Sequence, residues 1–133
     1  MTEHLGSCLC GTVKFTVTGQ FDCFYLCHCR HCQKDTGSAH AANLFSHSAK
    51  LVWQSGADAV TSFTLPGTQH NKSFCKLCGS ALPSDQIVGL LVVPAGCLDT
   101  KISILPTAHI FSSSKATWDE KLECVPKFDG FPE

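Results

Sequence analysis

Seven of the ten cysteines in this 133-residue chain fall into three short clusters. The clusters are Cys8-Leu-Cys10, Cys27-His-Cys29-Arg-His-Cys32 and Cys75-Lys-Leu-Cys78. A closed structural zinc site takes four thiolates, whereas a reactive zinc site takes three protein ligands and keeps one position open. Four cysteines in two pairs plus three in one cluster would therefore make one metal structural and leave the other available for chemistry.

Composition decides how these cysteines are interpreted. Hydrophobic residues make up 44% of the chain and charged residues 16%, which is typical of a globular protein, and the length predicts one domain over residues 1–133. The first seven residues lack the basic and apolar regions of a signal peptide. The longest apolar stretch, residues 87–93, is too short to span a bilayer. We expect a soluble cytoplasmic protein, in which clustered cysteines bind metal instead of forming disulfides.

Charge argues against a nucleic-acid partner. The formal net charge is −1, and the ten basic residues are scattered without a run. Nucleic-acid-binding proteins carry a basic stripe or patch, which this chain lacks. We therefore expect no nucleic acid as partner and, from the shortness of the apolar stretches, no membrane, while protein partners stay open.

Hydrophobic periodicity predicts an all-β fold of many short antiparallel strands with little helix. Thr12–Thr18 alternates, with Val13, Phe15 and Val17 on one face. Further candidate strands are Phe21–Leu26, Ala39–Phe45, Leu51–Gln54, Val60–Leu65, Ile87–Val93, Ile102–Leu105 and His109–Ser112.

Helix signals are weak, because no stretch sustains a 3.6-residue apolar period. A short helix is expected either after the middle cysteine cluster or around Ser113–Glu120, where Ser114 would cap it. The tail, residues 125–132, carries two phenylalanines and is expected to pack over the body of the protein.

The outer cysteine pairs resemble zinc knuckles. Each pair ends in a glycine, Gly11 or Gly79, which accepts the positive φ of a tight turn around a metal-bound sulfur. Two such pairs in one small chain predict a shared four-cysteine site. Zinc binding contributes roughly 10–16 kcal/mol to the folding of small metallo-domains, so we expect chelation or loss of Cys75 to unfold the protein.

The central cluster places three thiols within six residues, enough to face one ion. His28 or His31, which lie inside the cluster, would close it as a Cys₃His site, and Cys23 is another candidate for a fourth ligand. Without a fourth ligand the site stays open. Cys97 and Cys124 are expected to be core or surface thiols.

The order of these motifs resembles the family of glutathione-dependent formaldehyde-activating enzymes, which also includes centromere protein V. The resemblance covers nearly the whole chain. It is carried by the outer cysteine pairs, by Cys27-His-Cys29-x-x-Cys32-Gln-Lys34-x-Thr-Gly-Ser38, by the turn Gly96-Cys-Leu-Asp99 and by His109-Ile-Phe111 with Lys115-Ala-x-Trp118. Family members commonly have a small residue at the position of Arg30.

The resemblance implies a zinc-bound sandwich-like or tent-like fold with two Zn²⁺ per chain. It assigns the structural zinc to Cys8, Cys10, Cys75 and Cys78, and the catalytic zinc to Cys27, Cys29 and Cys32. The implied activity is that of a carbon–sulfur lyase, in which the thiolate of glutathione attacks formaldehyde to give S-(hydroxymethyl)glutathione.

Glutathione carries two carboxylates, and three cations are candidates for binding them. Arg30 and Lys34 flank the central cluster, and Lys115 lies in a segment shared with the family. His109 and Trp118 are candidates for lining the site, with a core role equally open for Trp118. His40 is expected to be a hydrogen-bonded strand histidine.

Elementary chemistry limits how much such a zinc site contributes to catalysis. A free thiol with a pKa near 8.5 is already a few per cent ionised at pH 7, so complete ionisation supplies at most about 30-fold, or ~2 kcal/mol. Two alternatives to an enzyme therefore remain open. One is a non-catalytic zinc-binding interaction module, and the other is a sensor of thiol oxidation or of thiol adducts.

Overall fold

The computed structural model of the chain describes residues 2–132. Eleven strands and one α-helix lie in this part of the chain. They are β1 Glu3–Ser7, β2 Lys14–Thr18, β3 Cys23–Cys27, α1 Arg30–Thr36, β4 Ala41–Ser46, β5 Lys50–Ser55, β6 Val60–Thr64, β7 Asn71–Cys75, β8 Ala81–Leu82, β9 Ser84–Ile87, β10 Leu90–Pro94 and β11 Ala108–Ile110.

The strands form three sheets, which confirms the all-β prediction. Their orders are β1-β2-β5, β11-β3-β4-β10-β9 and β6-β7-β8. Neighbouring strands run antiparallel, except that β11 lies parallel to β3. The central five-stranded sheet brings together segments as distant in the chain as residues 23 and 110.

The core begins at the alternating segment around β2. Val13, Phe15 and Val17 are fully buried, as their spacing predicts. Phe15 meets Trp53 of the neighbouring strand edge to face, with ring centroids 5.8 Å apart, a favourable geometry for an aromatic pair. Leu44 and Val93 of the five-stranded sheet and Leu82 of the third sheet belong to the same apolar cluster. All three sheets therefore share one core.

Two signals define α1. Cys29 is the N-cap, and its Sγ accepts a hydrogen bond from the Cys32 N–H. Gly37 ends the helix with φ of 67°, and its N–H donates to the carbonyl oxygen of Gln33, as is common at helix C-termini. The helix expected after the middle cluster is present, but it begins inside the cluster, at Arg30. The alternative around Ser113–Glu120 is wrong, since only one 3₁₀ turn, Ser112–Ser114, forms there.

Several strand predictions differ from the structure. The expected strand Ile87–Val93 is interrupted by a turn at Val88-Gly89 that joins β9 to β10, because Gly89 adopts φ of 77°. Ile102–Leu105 forms no strand. The sequence pattern does not predict β1 and β7, whose polar residues hide the period-two alternation, or β8, which is only two residues long.

The tail does not pack over the body as expected. Phe128 is 62% exposed and Phe131 is 90% exposed. Aromatic content shows only that a segment is apolar, whereas packing also requires a matching surface beneath it. Between residues 2 and 132, no helix is both long and apolar enough to cross a bilayer.

Gly6 of β1 provides a test of core packing. A Cβ atom at this position would overlap the ring of Phe15 and lie 2.7 Å from the carbonyl oxygen of Cys97. We expect Gly6→Ala to lower the free energy of unfolding by about 1–3 kcal/mol, the usual cost of overpacking a core. Denaturant unfolding of the metal-saturated protein measures this.

Gly96→Ala is the matched control, because a Cβ built there meets no heavy atom of the described chain within 4 Å. Its effect should stay within about 0.5 kcal/mol. Equal stability of the two variants would contradict the close approach at Gly6.

Candidate metal centres

The two outer cysteine pairs meet at one point in the fold. The sulfur atoms of this four-cysteine group lie within 4.8 Å of one another; the group is Cys8, Cys10, Cys75 and Cys78. Cys8 Sγ is 3.6 Å from Cys10 Sγ, which is 3.9 Å from Cys75 Sγ. Sulfurs around a tetrahedral zinc, with bonds of about 2.3 Å, lie about 3.8 Å apart. The spacing therefore fits a closed metal site and is too long for a disulfide.

Turns at glycine aim both pairs at this point. Gly11 and Gly79 adopt φ of 81° and 76°, as expected for zinc knuckles. The N–H of Gly79 donates to the carbonyl oxygen of Cys75 at 2.7 Å, and that of Gly11 donates to Cys8 at 3.1 Å. One pair follows β1 and the other follows β7, so the group joins the first sheet to the third.

Ser80 connects the two knuckles. Its hydroxyl accepts a hydrogen bond from the Leu9 N–H at 2.9 Å and lies 3.5 Å from Cys78 Sγ. Hydrogen bonds from the side chain and backbone of Ser80 lower the pKa of Cys78 to about 5. Burial instead raises the pKa of Cys75. The group therefore combines a thiol that ionises readily with a buried one that does not, and a bound cation would stabilise the thiolate form of both.

The central cysteines form a second group where β3 passes into α1. Cys27 ends the strand, Cys29 caps the helix and Cys32 lies in its first turn, and their sulfurs are within 4.8 Å of one another. Ala41 and Ile110, from the strands on either side of β3, pack against this three-cysteine group. Two sheet neighbours and a helix start thus hold the thiols in place.

Burial and hydrogen bonding shift the pKa values of the three thiols in opposite directions. Burial raises the pKa of both Cys27 and Cys32. Burial also disfavours the thiolate of Cys29, but hydrogen bonds led by that from the Cys32 N–H outweigh it and lower its pKa. Cys29 is therefore the first of the three to ionise, and binding a cation would lower the pKa of the other two.

The suggested fourth ligands of this group lie elsewhere. His28 Nε2 pairs with His109 Nδ1 at 2.9 Å, and the ring of His31 faces that of His70 at 5.6 Å. Cys23 lies four residues before Cys27 on β3, a distance of about 13 Å along an extended strand. Among residues 2–132, the metal-compatible group contains the three thiols alone.

The candidate glutathione-binding cations have different surroundings. Arg30 and Lys34 are exposed and lie one turn apart on α1. Lys34 lines a cavity of about 310 Å³ together with Asp35, Phe63, Leu65, Lys72 and both rings of the His31–His70 pair. Lys115 instead forms an ion pair with Glu120 at 2.6 Å. Arg30 and Lys34 thus have no neutralising partner among the described side chains, whereas Lys115 has one.

Two expectations about single residues are corrected. Trp118 is 61% exposed and so does not belong to the core. His40 is not a fully hydrogen-bonded strand histidine, because its buried Nδ1 has no hydrogen-bond partner among the described residues. His109, a candidate for lining the site, contacts His28.

A polar cluster that sequence analysis did not predict lies on α1. Asp35 Oδ1 pairs with Lys72 Nζ at 2.6 Å, and its Oδ2 lies 3.0 Å from His70 Nε2. The cluster fastens α1 to β7 and its preceding turn. Asp35 is 35 positions from His70 and 37 from Lys72, and no local motif links it to them.

Comparison with known proteins places these features in a family. The family model described as glutathione-dependent formaldehyde-activating enzyme matches residues 3–114. A protein of Halomonas elongata named "Putative glutathione-dependent formaldehyde-activating enzyme" is 33% identical over 144 aligned positions, covering 96% of this chain and 88% of the relative.

A solved structure shows the same fold. The crystal structure of a Rhodobacter sphaeroides protein superposes with a TM-score of 0.55 and 22% identity, covering 77% of this chain and 92% of that one. The family match spans both cysteine groups described above. The chain therefore belongs to the family of glutathione-dependent formaldehyde-activating enzymes.

Proposed function

We propose that this protein is a zinc-dependent carbon–sulfur lyase of the S-(hydroxymethyl)glutathione synthase type. In the reaction, the sulfur of glutathione forms a bond to the carbon of formaldehyde, and the carbonyl oxygen takes up a proton. Family membership supports the substrates. The observation that carries the proposal is the group of Cys27, Cys29 and Cys32, which brings three sulfurs together without a fourth protein ligand among residues 2–132.

The two cysteine groups would each bind one zinc ion and have different roles. The four-cysteine group supplies a complete tetrahedral shell and is proposed to be structural. The three-cysteine group leaves one position for substrate. Zinc in that group supplies a site at which an incoming thiol is held as thiolate. A reducing cytoplasm, which we propose as the location, keeps all seven sulfurs available as ligands.

The chain's own residues would bind and orient the substrates. Cys29 ionises first, and the helix start and the neighbouring strands keep the three sulfurs in place. Arg30 and Lys34 are proposed to bind the carboxylates of glutathione, because both are exposed beside this group and one helical turn apart. Lys115 is the third candidate, and its use requires exchange of its partner Glu120.

Metal content tests the division into four and three cysteines. After dialysis against zinc-free buffer, two tightly bound zinc ions per chain are expected by elemental analysis. Cys29→Ser should lose one and remain folded by circular dichroism, since the structural group is untouched. Cys124→Ser, which alters an exposed tail thiol, should keep both. A folded wild-type protein with one zinc ion would contradict the division.

Acid release of metal tests the role of Ser80. A thiol whose pKa is lowered stays ionised at lower pH, so protons compete with the metal less. We expect Ser80→Ala to raise the pKa of Cys78, because the variant loses the side-chain hydrogen bond that is the largest cause of its lowering. Zinc should then leave the four-cysteine group at higher pH, as followed with a chromogenic chelator.

Ser103→Ala is the control for this titration, because Ser103 is exposed and outside both cysteine groups. Its release curve should coincide with that of the wild type. An unchanged curve for Ser80→Ala would show that Ser80 does not tune Cys78.

Exchange NMR with glutathione and ¹³C-labelled formaldehyde tests catalysis. The wild type should accelerate formation and breakdown of S-(hydroxymethyl)glutathione, by up to about 30-fold from thiol ionisation alone and further if it orients the aldehyde. Cys29→Ser should leave the spontaneous rate, and Cys124→Ser should match the wild type. Spontaneous exchange with zinc-loaded wild type would overturn the enzyme proposal for these substrates.

A further inference from the structure

Three histidines lie on one face of the five-stranded sheet, at the edge where β3 ends. The register between β3 and β4 pairs Cys27 with Ala41, so the next residues along, His28 and His40, face each other across the two chains. Their ring centroids are 5.1 Å apart. Successive residues of a strand point to opposite faces, so His28 points away from the face that carries Cys27.

The third histidine comes from the strand on the other side of β3. β11 runs parallel to β3 with His109 opposite Leu26, and Leu26 shares its face with His28. His109 Nδ1 lies 2.9 Å from His28 Nε2. When His28 Nε2 carries the proton of this hydrogen bond, the other ring nitrogen, Nδ1, offers a lone pair. This arrangement, with the second nitrogen held by a partner, is usual for metal-binding histidines.

Asp119 completes the cluster from the C-terminal segment. Its Oδ2 is 3.4 Å from His28 Nδ1, and its side chain is 16% exposed. Lys115 lies near this cluster, but Glu120 neutralises it through an ion pair at 2.6 Å. The carboxylate therefore provides the uncompensated negative charge at this point.

Two buried nitrogens in this cluster accept and donate no hydrogen bond among the described residues. His28 is 2% exposed, and neither its Nδ1 nor the Nδ1 of His40 makes a hydrogen bond within the described residues. Buried polar atoms are nearly always paired, because leaving one unpaired costs about 1–3 kcal/mol. Two buried nitrogens without hydrogen bonds, one of them 3.4 Å from a carboxylate oxygen, are typical of a ligand set for a cation.

We propose that His28, His40 and Asp119 form a third metal site, which binds a divalent transition ion such as Zn²⁺. One ligand atom from each residue lies within 4.8 Å of the other two. Nitrogen and oxygen ligands of a tetrahedral zinc are about 3.3–3.5 Å apart, which the distance between His28 and Asp119 matches. His40 would supply the third protein ligand, and solvent would complete the tetrahedral shell.

This site is separate from the three-cysteine group, although His28 lies between two of its members. The strand turns Cys27 and His28 to opposite faces, and the two sets share no ligand. The site has one negative ligand against three in the thiolate group, so it binds metal more weakly. It would also tie the segment around Asp119 to the end of β3, where Gln33 Nε2 already joins the carbonyl oxygens of His28 and Ser114.

Titration of the protein that already carries its thiolate-bound zinc tests the site. Calorimetry with ZnCl₂ should show one further equivalent in the wild type. His40→Ala and Asp119→Asn should each weaken its binding at least tenfold. His47→Ala is the matched control, since His47 is an exposed histidine that pairs only with Asp22 among the described ionisable side chains. It should bind the further equivalent as the wild type does.

The absorption spectrum of bound Co²⁺ distinguishes nitrogen and oxygen ligands from thiolates. The further equivalent of Co²⁺ should add weak ligand-field bands and no thiolate-to-cobalt charge-transfer absorption. Cys29→Ser should still bind it, so failure of the proposed enzyme activity and failure of this site are distinguishable. If His40→Ala does not fold, the affinity of the conservative variant Asp119→Asn for the further equivalent tests the site. The proposal is overturned if wild type takes up no further equivalent, if Asp119→Asn binds it with wild-type affinity, or if charge-transfer absorption grows.

Discussion

The rest of the structure depends on the meeting of two short loops that are 65 residues apart in the chain. Cys8 and Cys10 leave β1, Cys75 and Cys78 leave β7, and their sulfurs converge at spacings near those of a tetrahedral metal site. Without a cation, converging thiolates would repel one another at these distances. With zinc, as proposed, the site would contribute roughly 10–16 kcal/mol to folding, which is comparable to the whole stability of a typical domain.

The five-stranded sheet determines which side chains come together at each of its faces. At the end of β3, strand alternation sends the Cys27 thiol to one face and the His28 imidazole to the other. The thiol meets two further cysteines at the start of α1, and the imidazole meets histidines from the neighbouring strands. Adjacent residues therefore belong to two clusters of different ligand type.

Much of the candidate site was predictable from the sequence because its determinants are local. Two cysteines separated by one or two residues and followed by glycine are typical of a tight turn, and Gly11 and Gly79 adopt the positive φ that such a turn requires. The buried positions around β2 follow from strict alternation over Val13, Phe15 and Val17. The helix after Cys29 follows from a cap at each end.

The three clusters of cysteines were enough to predict a four-plus-three grouping, because ligand type and spacing carry that information. Tertiary structure alone excluded His31 and Cys23 from the central group and placed His40 opposite His28. Those outcomes depend on strand register and on the parallel addition of β11, which result from pairing between segments as far apart in the chain as Leu26 and His109. Local sequence does not encode such register, because each strand's pattern is compatible with several partners until the common core selects one.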